Sequence, residues 1–111
     1  MMLTSEDRDK ANAEAQKVWE WVLLNIDDVK GFAADIIWNK YKSVDCSAKS
    51  SFELMKMLPM PGSIAIGFHD IFEIIFDDLI LDKIFGGSCY EIVVRVGADN
   101  IMQEAFLFKY S

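Results

Sequence analysis

Ser63-Ile64-Ala65-Ile66-Gly67-Phe68-His69-Asp70-Ile71-Phe72-Glu73-Ile74-Ile75-Phe76-Asp77-Asp78-Leu79-Ile80-Leu81-Asp82-Lys83-Ile84-Phe85 is the stretch on which the fold turns. Its first six residues alternate, with Ile64, Ile66 and Phe68 on one face and the small Ala65 and Gly67 on the other. This predicts a strand whose small face lies close under another element, such as a helix. The remainder fits two periods. Phe72, Ile75, Phe76, Leu79, Ile80 and Ile84 recur at helical spacing, Asp70 stands three residues before Glu73 as in a capping box, and Gly86-Gly87 makes a stop. The rival is a hairpin of 72–76 and 79–84 turning at Asp77-Asp78. The helix is the preferred reading, because Asp-Asp is a poor two-residue hairpin turn.

Downstream, residues 90–96 (Tyr-Glu-Ile-Val-Val-Arg-Val) read as a strand, and Gly97-Ala98-Asp99-Asn100 is turn chemistry. Residues 105–110 form a second strand with Phe106, Phe108 and Tyr110 on one face, joined to the first as an antiparallel hairpin. Upstream, Thr4 or Ser5 caps a helix carrying the stripe Ala11, Ala15, Val18, Trp19, Val22, Leu23 and Ile26. Asp27-Asp28 offers the cap of a second helix, with Val29, Phe32, Ala33, Ile36, Ile37 and Tyr41 on its stripe. Residues 42–51 are small and polar, a loop. Residues 52–58 fit a short helix capped by Ser50 or Ser51, or a strand. Pro59-Met60-Pro61-Gly62 turns the chain. The expectation is one α+β domain over residues 1–111, its helical N-terminal half packed on a small, mainly antiparallel sheet.

Composition bounds the chemistry. Of the 111 residues 52% are hydrophobic, enough for a core of its own. Cys46 and Cys89 stand alone, without a CxxC pair, and read as reduced thiols; Cys89, just ahead of an apolar strand, reads as a small buried hydrophobe. Residues 1–8 lack the apolar run of a secretory signal, and the apolar stretch 64–85 holds too many ionisable groups to cross a bilayer. A soluble, cytoplasmic protein is expected. The net charge of −7 is uneven, with eight acids against three bases after residue 60. Such a chain repels nucleic-acid phosphates and anionic membranes, so a charged partner should be basic.

Catalytic constellations are sparse. His69 is the single histidine; beside Asp70 and near Glu73 it suggests a metal pair, yet a metal site needs three or four placed ligands. Neither cysteine sits in a nucleophile motif, and Gly86-Gly87-Ser88 leads into a strand rather than a helix, unlike a phosphate cradle. No enzyme activity, cofactor or metal is expected. Asp70, Glu73, Asp77, Asp78 and Asp82 remain, five carboxylates within thirteen residues. They read as a solvated face or as an acidic surface steering a cationic partner, with aromatic anchors nearby. Trp19, Trp21, Trp38, Tyr41, Tyr90 and Tyr110 are the aromatic candidates, Trp21 foremost because it lies off the first helix's apolar stripe, for an interface or a second packing layer.

The whole-chain profile resembles the small acidic immunity proteins that bacteria encode beside secreted toxins, including those of contact-dependent growth inhibition systems. The shared traits are the 111-residue length, the −7 charge, the lack of catalytic motifs, and the pairs Asp27-Asp28 and Asp77-Asp78. The resemblance implies a cognate basic toxin domain, often a nuclease, blocked by steric and electrostatic occlusion. It carries over no binding residue. A different class of function is a structural or adaptor domain that pairs with its own copy through aromatic surface.

Overall fold

The computed structural model describes residues 5–41, 46–67, 71–87 and 89–110. In chain order the elements are α1 (Ser5–Leu24), α2 (Ile26–Lys40), α3 (Ser51–Met57), β1 (Ser63–Ile66), β2 (Phe72–Phe76), α4 (Ile80–Phe85), β3 (Tyr90–Val96), a single 3-10 turn (Ala98–Asn100) and β4 (Met102–Lys109). The four strands form one antiparallel sheet in the order β1-β2-β3-β4, so every strand neighbours the one before it in sequence. Helices fill the N-terminal half and the sheet the C-terminal half, the expected α+β plan.

The helices cover one face of the sheet. Phe72, Ile74 and Phe76 of β2 pair with Val96, Val94 and Ile92 of β3, and Val94 and Ile92 pair with Ala105 and Leu107 of β4. Apart from the half-buried Leu107, these side chains are at most 4% exposed and share one core with Val22, Val29, Ala33, Ile37, Leu54, Leu81, Ile84 and Phe85. Burying each large aliphatic or aromatic side chain contributes roughly 1.5–3 kcal/mol, so this shared layer holds the two halves together.

Local chemistry sets the element ends. Ser50 caps α3, its Oγ accepting the Glu53 N–H at 3.1 Å, which resolves the ambiguous segment 52–58 as a helix that ends at Met57, with Leu58 extended. The α1–α2 junction lies at Asn25, not at Asp27-Asp28 as expected. The Asn25 side-chain amide and its backbone N–H both donate to the Trp21 carbonyl, at 2.8 and 3.0 Å. That satisfies the end of α1 and leaves both aspartates in the first turn of α2, at the positive end of its dipole.

The continuous helix expected over 72–84 is not what forms. Residues 72–76 are a central strand and only residues 80–85 are helical. A strand here gains ladder hydrogen bonds on both sides and buries Phe72, Ile74 and Phe76 on alternate positions, which a helix stripe could not do. The rival hairpin is right about β2 and wrong about its second arm. The helix stop is placed correctly: Gly86 adopts φ 66° and its N–H bonds back to the Asp82 carbonyl.

Two smaller expectations are also corrected. The small side of β1 is not the covered one. Ala65 is exposed, whereas Ile64 and Ile66 pair with Ile74 and Phe72 on the helix side of the sheet. Cys89 is exposed rather than buried, and both cysteines are free thiols. β4 begins at Met102, three residues earlier than the pattern suggests, with a register shift at Arg95/Val96. Thr4 as a cap, Phe68 as the end of β1, and residues 42–45 of the 42–51 loop lie outside the described residues.

Candidate functional site

Among the described residues no helix covers the sheet's other face. By register it presents Ser63 and Ala65 of β1, Glu73 and Ile75 of β2, Glu91, Val93 and Arg95 of β3, and Glu104, Phe106 and Phe108 of β4. A solvated antiparallel face is ordinarily polar. This one is not. Ile75, Val93 and Phe106 run across its middle, and Val93, although only 7% exposed, stands outside the core on the helix side. Phe106 and Phe108 tilt together at 5.9 Å between ring centroids, and Phe108 meets Tyr110 at 6.4 Å, a row of three rings along the edge. Phe108 and Tyr110 are 42% and 53% exposed, which makes the row accessible.

Charge surrounds this row. Arg95 bridges Glu73 at 3.4 Å and Glu104 at 3.9 Å, and its guanidinium lies 5.5 Å from the Phe106 ring centroid. Lys40, at the end of α2, reaches Phe106 as well, at 5.2 Å. At the opposite end of the face Glu91 stands across from Phe108 and accepts a hydrogen bond from the Tyr110 hydroxyl at 3.3 Å. Loss of hydration against the strand, then the charge of Glu91 and its hydrogen bond, raise the Tyr110 phenol above its ordinary value of 10.0. Glu91 has no cationic partner among the described residues.

The acids singled out in the sequence divide into two groups. Glu73 is on the open face, in the Arg95 bridge. Asp77 leaves β2 one residue after the pair Phe76↔Ile92, at the end of the sheet where Glu91 lies, and its carboxylate fills the space a Cβ on Gly62 would need. Asp78 and Asp82 hold local structure instead. Asp78 Oδ1 accepts the Ile80 N–H at 2.9 Å at the start of α4, and Asp82 Oδ1 accepts the Tyr90 N–H at 3.2 Å at the start of β3. Asp70 and His69 lie outside the described residues. Trp21 is half-buried and meets Phe72 edge-to-face at 5.7 Å and 77°, a packing layer over the sheet.

The open face itself was missed by sequence reasoning. Its signal was the apolar doublet Ile74-Ile75 and the triplet Ile92-Val93-Val94, runs that make both faces of β2 and β3 apolar. Among the described residues no cluster of three metal-ligating side chains occurs, and no helix is long and apolar enough to cross a membrane. No protein-family model, curated protein or solved structure matches the chain.

Proposed function

We propose that this chain is an immunity-type inhibitor, a non-catalytic domain that binds and occludes a cognate basic toxin domain. The observation that carries it is the open sheet face, an apolar and aromatic centre bordered by Glu73, Glu91 and Glu104, with Arg95 held between two of them. Exposed aromatic rings supply desolvated anchors, and the surplus of carboxylates steers a cationic surface into register. The chain's −7 charge acts in the same direction at longer range. A nuclease toxin, whose active site must itself attract phosphate, suits this complementarity.

The test is co-expression with the toxin module encoded beside this chain, followed by calorimetry and stopped-flow mixing of the purified pair. A one-to-one complex is expected whose association slows at least about tenfold between low and physiological salt. Phe108→Ser should abolish protection while lowering the unfolding free energy by no more than about 2 kcal/mol, since the ring is 42% exposed. A partner-free chain that dimerises through this face would support the adaptor reading instead. A salt-independent association rate would remove the steering role of the carboxylates.

A further inference from the structure

The two ends of the open face have matching chemistry, but among the described residues only one end holds a cation. At the first, the Arg95 guanidinium sits 5.5 Å from the Phe106 ring centroid and bridges Glu73 and Glu104. At the second, Glu91 faces Phe108 across the β3–β4 ladder, Tyr110 stacks beyond it, and Asp77 leaves β2 at the same end of the sheet. Lys109 does not serve this end: it pairs with Tyr90 on the helix side and lies 5.7 Å from that ring.

Resting on the sheet-face reading above, we infer that the corner formed by Glu91, Phe108 and Tyr110 is a seat for an arginine side chain of the basic partner. The chain's own Arg95 shows the arrangement such a side chain takes: its planar cation against an aromatic ring, its N–H groups on carboxylates. Arginine suits the corner better than lysine, because guanidinium stacks on a ring while keeping a fork of donors free for Glu91. Phe108 and Tyr110, tilted by 34° at 6.4 Å, are each exposed over roughly half their surface, so a cation can reach both rings. On binding, Glu91 exchanges the Tyr110 hydroxyl for a charged donor.

The probe is a hexa-arginine peptide, with its neutral hexa-citrulline analogue as control, titrated into the nitrogen-labelled full chain and followed by NMR. Saturable shifts are expected at Glu91, Phe108 and Tyr110 with arginine and not with citrulline. Glu91→Gln should weaken binding about fivefold, whereas Glu20→Gln, the same charge change on the exposed side of α1, should not. Shifts spread evenly over the acidic surface, or equal weakening by both variants, would overturn the seat. Shifts confined to Glu73 and Glu104 would also overturn it while leaving the sheet face as the binding surface. No toxin enters this titration, so a missing toxin complex would count against the function and not against the seat.

Discussion

Tyr110 and Glu91 show how an exposed pair reports on the strand beneath it. Loss of hydration against the strand, then the charge of Glu91 and the hydrogen bond donated to it, favour the neutral form of the phenol. Its folded-state pKa is therefore above the unfolded value. The stabilisation it provides is complete below about pH 10 and disappears as pH rises through the raised folded value. Carbon NMR of ring-labelled tyrosine should place the Tyr110 midpoint above that of free tyrosine, and Glu91→Gln should move it down. A midpoint unchanged by that substitution would mean that the hydrogen bond does not form. At this scale the sequence says which residues are acids and little about their employment. Glu73 meets Arg95 from 22 positions away and Asp82 meets the Tyr90 N–H from eight, separations no local pattern encodes.

Short elements depend on their ends more than on their interiors, since a single turn forms too few hydrogen bonds to offset its own ordering. α3 has seven residues, started by Ser50, and α4 six, started by Asp78 and stopped by Gly86. Ser50→Ala removes the cap of α3 and should cost about 1 kcal/mol. Gly86→Ala forces a side chain into φ 66° and should cost about 1–2 kcal/mol. Urea denaturation measures both, and a loss below about 0.3 kcal/mol for Ser50→Ala would mean that packing of Leu54 and Leu58 alone holds α3. The Gly86 stop was readable beforehand, as were β3 and the Gly97 turn, because each is written in adjacent residues, whereas the Ser50 cap was one of two readings of residues 52–58. β2 was not. Phe72-Glu73-Ile74-Ile75-Phe76 satisfies a helical stripe and a strand alternation equally, and only the strands flanking it on both sides decide the outcome.

Across the whole molecule, burial falls off toward the N-terminal end of α1. The described side chains of α1 before Ala15 are all exposed, and burial begins with Val18, Trp19, Trp21 and Val22 over the sheet. The accessible surface of 7,333 Å² exceeds the roughly 6,200 Å² expected for a compact protein of this mass, in keeping with a helix only partly covered. Amide hydrogen exchange should be fastest, among helical amides, in the first three turns of α1, and should slow markedly from Val22 onward. Uniform protection along α1 would show that something covers its N-terminal half. The sequential strand order has a kinetic consequence. Because β1, β2, β3 and β4 each pair with the strand next to them, the sheet can close one short loop at a time, without first bringing distant segments together. Of the helices that cover it, α1, α2 and α3 come from ahead of the sheet, so they meet a loop-closure cost that the strands do not. The meander is thus a template on which the helical layer can condense, and the uncovered face is complete as soon as its four strands have paired.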